Sequence, residues 1–140
     1  MGTIVKQIPA TVVFVTYGLT TSQSVALNAV LKYDTKIRDL ASPLYNVSTG
    51  LLTVPFNALC EISVVWTPAS ANSGCYALLA GAGAGFLTNS STAGGAAGGG
   101  IPISVTQGQT LGIAAAVAGT INGIAPTGFV NQVTFKLTAV

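Results

Sequence analysis

Residues 51–66 read LLTVPFNALCEISVVW. From Cys60 the stretch alternates, with Cys60, Ile62 and Val64 on one side of an extended chain and Glu61, Ser63 and Val65 on the other. Strand side chains point to opposite faces with a period of two, so Glu61 takes an outward position while its alternate neighbours face a core. Pro55 and Asn57 separate this strand from an earlier one over Leu51 to Val54. Working outward, β-branched and aromatic residues recur in short runs bounded by turn residues, whereas helix formers with a 3.6-residue apolar period are scarce. The chain therefore reads as all-β. Candidate strands are Ala10 to Thr16, Val25 to Tyr33, Leu51 to Val54, Cys60 to Trp66, Cys75 to Ala80, Ile101 to Val105, Thr110 to Val117 and Gln132 to Val140. Eight such strands suit a two-sheet sandwich. Ser48 to Gly50, Thr67 to Gly74 and Gln107 to Gln109 carry turn chemistry and read as loops.

The chain of 140 residues has the size of one domain. Residues 1–20 read as an N-terminal arm or first strand, and 21–140 as the body of the sandwich. Half of the residues are hydrophobic and 6% are charged, well below the charge of an ordinary soluble surface. No segment offers the ~20 uninterrupted apolar residues that a bilayer-spanning helix needs. Pro9 interrupts the nearest approach to a signal peptide, Ile8 to Val15, so residue 1 reads as the start of a cytosolically made protein.

Five Lys plus Arg against three Asp plus Glu leave no basic stripe for phosphate neutralisation, which argues against nucleic-acid binding. Histidine is absent, removing the commonest general base and the commonest nitrogen ligand for metals. The three acids Asp34, Asp39 and Glu61 form no paired-carboxylate pattern. Cys60 and Cys75 could pair, but two cysteines without a secretory signal read as free and buried, and they lack the further ligands a zinc site requires. The expectation is a non-enzyme without cofactor, metal or membrane partner.

Two segments stand out. Lys32, Asp34, Lys36, Arg38 and Asp39 hold five of the eight charges. In one extended strand Lys32, Asp34, Lys36 and Arg38 would share a face, either as a charged edge that discourages strand addition or as a docking face. The segment from Ala80 to Gly100, AGAGAGFLTNSSTAGGAAGGG, has almost no large side chains. It reads as a loop with one short strand inside, the alternative being close backbone approach at a crowded interface.

Leu31 to Trp66, LKYDTKIRDLASPLYNVSTGLLTVPFNALCEISVVW, resembles the globular head of C1q-type and tumour-necrosis-factor-like jelly rolls. The turn Tyr45 to Gly50 followed by Leu51 to Pro55, the strand–turn–strand of Val105 to Leu111 and the closing strand Val130 to Leu137 carry the likeness onward. It covers roughly three quarters of the chain, although Ala58-Leu59-Cys60 stands where that family has a glycine followed by an aromatic. The resemblance implies a jelly-roll sandwich of about eight to ten antiparallel strands and a compact homotrimer, with Tyr45, Phe56, Phe129 and Phe135 as trimer-interface candidates. A charge-poor jelly roll of this composition, with no Gly-X-Y stalk, is also similar to accessory proteins of bacteriophage heads and tails. That similarity implies a capsid cement or decoration protein on the outer surface of the virion, with the major capsid protein as partner.

Docking candidates for that role are Ile4, Val5, Lys6 and Ile8 in the arm and Lys32, Asp34, Lys36 and Arg38 in the charged segment. The alternative is the receptor-binding or glycan-binding head of a fibre or spike, whose partner would be a host surface glycan. Trp66, Tyr76 and Phe86 are its candidate platforms, because sugar sites present exposed aromatics beside polar groups.

Overall fold

The computed structural model describes residues 11–92, 97–123 and 131–140. The first of its antiparallel sheets carries, in spatial order, β3 (Thr35–Arg38), β1 (Val12–Gly18), β12 (Gln132–Ala139), β6 (Ala58–Trp66) and β9 (Ala97–Val105). The second carries β4 (Tyr45–Asn46), β5 (Leu51–Thr53), β10 (Thr110–Ala115), β7 (Ser73–Leu79) and β8 (Ala82–Ser90). A small ribbon pairs β2 (Gln23–Val25) with β11 (Gly119–Ile121). First and last strands lie side by side in the middle of a sheet while sequence neighbours cross between sheets, which is a jelly roll.

Alternation does the building. Strand β6 buries Ala58, Cys60, Ile62, Val64 and Trp66 and exposes Leu59, Glu61 and Ser63, as its sequence pattern predicts. Beside it β12 buries Val133, Phe135 and Leu137, and β1 buries Val15 and Tyr17. The second sheet answers with Leu52, Cys75, Ala77, Leu111, Ile113 and Ala115. Burying each larger apolar side chain stabilises the fold by about 1.5–3 kcal/mol. The Tyr45 ring lies 4.3 Å from Tyr17 and 6.4 Å from Phe135, tying the two sheets together. Tyr45 and Phe135 thus belong to the core of the sandwich itself, only 4% and 0% exposed, which leaves them no surface for the trimer contact expected of them.

Residues 12–18 form an inner strand of the first sheet, so the chain is part of the sandwich from β1 onward. The expected strand over Val25 to Tyr33 is broken. β2 stops at Val25, Asn28 takes a positive φ of 66°, and the chain then bonds to β10 through Leu31 N–H to the Ile113 carbonyl at 2.8 Å. Both ends of the Gln23 side-chain amide bond the Lys32 backbone, fastening the excursion at its base.

The segment expected to be mostly loop, Ala80 to Gly100, instead contains β8 and the start of β9. Ala80 and Gly81 both have positive φ, 51° and 84°, as a two-residue hairpin turn of the favoured hand requires. Some of the glycines serve close approach inside the sandwich. A Cβ on Gly99 would stand 2.0 Å from the Leu87 carbonyl oxygen, so these positions let β9 press against β8.

Candidate interaction surfaces

The charged segment divides. Lys32 and Asp34 precede β3, and only Lys36 and Arg38 lie on it, at the edge of the first sheet. The single shared face expected for Lys32, Asp34, Lys36 and Arg38 does not form, because Asp34 is drawn into the neighbouring loop. Its carboxylate accepts hydrogen bonds from the Thr20 amide and hydroxyl, the Thr21 amide and the Thr35 hydroxyl at 2.8–3.1 Å. Partial burial pushes this carboxyl up, but the donated bonds outweigh it and hold the group below the ordinary carboxylate value.

Asp39 is likewise occupied. It accepts from the Tyr17 hydroxyl at 2.8 Å and from the amides of Leu40, Leu44 and Tyr45. The two acids next to the cations therefore organise loops rather than neutralise the cations.

Arg38 pairs with Thr16 and Lys36 with Tyr17, and the register shifts between these pairs. Such an irregularity re-aims a side chain. The Arg38 guanidinium lies over the Phe14 ring, 4.8 Å from its centre, and the Lys136 ammonium approaches the same ring to 5.9 Å. Lys136 also meets Glu61 at 3.4 Å, and in cross-strand register Phe14, Lys136, Glu61 and Pro102 form one row over the outer face of the sheet. Phe14 and Lys136 went unnoticed as surface features in the sequence. The signal that could have found Phe14 is the alternation of Val12, Phe14 and Thr16 against buried Val15 and Tyr17.

The aromatic platforms fare unequally. Trp66 is fully buried, and its indole N–H donates to the Ser73 hydroxyl at 3.2 Å, so it offers no sugar-stacking surface. Phe86 is 58% exposed and stands opposite Tyr76 across β7 and β8, while the Tyr76 hydroxyl donates to the Asn28 side-chain oxygen. Phe56 is half-buried against the core. Phe129, Ile4, Val5, Lys6 and Ile8 lie outside the described residues. A groove of about 640 Å³ runs between the Gln23 to Lys32 excursion and the Ser48–Thr49 turn, with Val25, Ala29 and Val30 as its apolar lining. Cys60 and Cys75 are free, buried thiols. Among the described residues no group of three or more potential ligands is placed to hold a metal ion.

No family model matches the chain, and no curated protein is similar to it in sequence. Solved structures are similar in fold. The globular domain of zebrafish complement 1qA aligns with a TM-score of 0.60 at 12% identity, covering 91% of this chain and 96% of that one. The PRD1 vertex protein P5 aligns with a TM-score of 0.52 at 10% identity, covering 96% and 99%. At such low identity the likeness concerns architecture, and it extends over nearly the whole chain: the fold is a C1q-like jelly roll.

Proposed function

We propose that this protein is a virion structural subunit, a homotrimeric capsid cement or decoration protein that packs on the outer surface of a bacteriophage head and bridges major capsid subunits. The observation that carries the reading is the surface of the first sheet. Its outer face sets exposed apolar side chains, Val12 and Leu59, each at least 40% exposed, around the row of Phe14, Lys136 and Glu61. Such a face suits permanent burial against other subunits, where modest contacts repeated over many copies sum to stable attachment. The likeness to a vertex protein over almost the whole of both chains supports the same setting. Of the trimer candidates, Phe56 is the described one left with surface to offer, Tyr45 and Phe135 being internal.

A cement role is tested by heating particles made without the protein beside particles to which it has been restored. Restored particles should release their genome at a higher temperature, and equal release temperatures would contradict the role. Assembly is tested by native mass measurement. A species at three times the 13.9 kDa chain is expected, and a persistent monomer at micromolar concentration would contradict the trimer.

The second reading, a receptor-binding or glycan-binding spike head, draws on Phe86 and Tyr76, which present one exposed and one half-buried ring beside Asn28. Under that reading, loss of the protein would abolish adsorption to the host and leave the heat stability of the particle unchanged.

A further inference from the structure

The chain turns both of its nearby carboxylates away from Arg38. Asp34 is engaged by Thr20, Thr21 and Thr35, and Asp39, adjacent in sequence, is engaged by Tyr17 and three backbone amides. Among the described residues the one salt bridge joins Glu61 to the other cation of the row, Lys136. Arg38 is exposed, and its guanidinium rests on Phe14 at 4.8 Å with no carboxylate on it.

A guanidinium braced on a ring keeps its donor fork in a fixed plane, which lowers the entropy lost on engaging a planar two-oxygen acceptor. A carboxylate accepts such a fork with two parallel bonds. The second cation, Lys136, 5.9 Å from the same ring, adds attraction to an anion arriving there while Glu61 limits it.

We infer that Arg38, braced by Phe14 and flanked by Lys136, is a receptor for one aspartate or glutamate side chain on a neighbouring protein of the particle. The inference rests on the virion reading and names the chemistry of the partner. The choice of protein follows from charge. Nucleic acid would need a run of cations to release counterions, whereas here Arg38, Lys136 and the edge residue Lys36 are opposed by Glu61. The register shift between Thr16 and Tyr17 is what brings Arg38, paired with Thr16, over Phe14 two residues away on the same outer face.

The test measures attachment of the purified full chain to particles made without it, for the wild type, Arg38→Gln, Arg38→Lys and Phe14→Leu, over a range of salt concentrations. Arg38→Gln should weaken attachment at least tenfold and flatten its salt dependence. Arg38→Lys should recover only part of the affinity, since charge returns without the fork, and Phe14→Leu should fall between wild type and Arg38→Gln. Far-ultraviolet circular dichroism checks that each variant is folded.

Wild-type attachment with an unchanged Arg38→Gln affinity would overturn the inference and leave the virion reading standing. Failure of the wild type to attach would count against the virion reading itself, and the inference would fall with it. Loss of the trimer mass in Arg38→Gln would assign the carboxylate to a second copy and also overturn the proposal. Stronger competition by a hexaphosphate than by hexaglutamate would overturn the choice of a carboxylate.

Discussion

The buried side chain of Asn131 bonds both backbone groups of Thr67, a residue 64 positions away. Its oxygen accepts from the Thr67 amide at 2.7 Å, and its nitrogen donates to the Thr67 carbonyl at 3.0 Å and to the Asn122 carbonyl at 2.7 Å. The Asn131 carbonyl in turn accepts from the Leu19 amide. One residue therefore substitutes for a strand, its side chain joining the ends of β6 and β11 and its backbone carbonyl tying them to the segment after β1. Asn131→Ala would remove three hydrogen bonds to backbone groups, the Thr67 carbonyl keeping its bond from the Asn122 amide, and should destabilise the fold by about 3 kcal/mol, read as a lowered urea midpoint. Asn131→Asp keeps the acceptor but removes both donors, so it should also fail to restore the midpoint.

The glycines of β9 differ in what a side chain would meet. Gly99 faces the Leu87 carbonyl oxygen at 2.0 Å from where a Cβ would stand, whereas the nearest atom to a Cβ on Gly98 is 3.8 Å away. Gly99→Ala should therefore cost about 3 kcal/mol or more, because the obstacle is backbone that cannot swing aside. Gly98→Ala should change stability by less than about 1 kcal/mol. Paired thermal melts of the two variants check this, and equal losses would contradict the intramolecular packing role.

The thiols make a pH prediction. Burial, and to a smaller degree the charge of Glu61, pushes Cys60 up to about 12 from an ordinary 9.0. Burial pushes Cys75 up to about 12 as well, against a backbone hydrogen bond from Thr88. An acid with a raised value in the folded state stabilises that state below its unfolded value, and the contribution is lost as the pH rises toward the folded value. Stability should therefore decline between pH 9 and pH 12, and less steeply in Cys75→Ala. At pH 8 a disulfide reagent should modify both thiols on the order of 10³-fold more slowly in the native protein than in urea. Fast native labelling would contradict their burial.

Much of the architecture could be read from the chain because alternation is a local signal. Cys60 to Trp66 and Gln132 to Val140 show it plainly, and both are long inner strands of the first sheet. The Gly–Ala segment could not be read this way. With few side chains to alternate, β8 is specified by the Ala80–Gly81 turn and by packing of β9 against it, a long-range matter that composition hides. The charged segment misled for a related reason. Periodicity assumed a straight strand, while Asp34 found better partners in the amides of Thr20 and Thr21. Tyr45 and Phe135 were interface candidates through the resemblance, but an aromatic on a strand has two faces to choose from, and the sandwich took both inward.

Purified protein added to particles made without it should appear, by electron microscopy, as discrete density on the outer surface at threefold-related positions, contacting more than one shell subunit. Particles that gain no density, or gain it only at the tip of a fibre or spike, would contradict the cement reading.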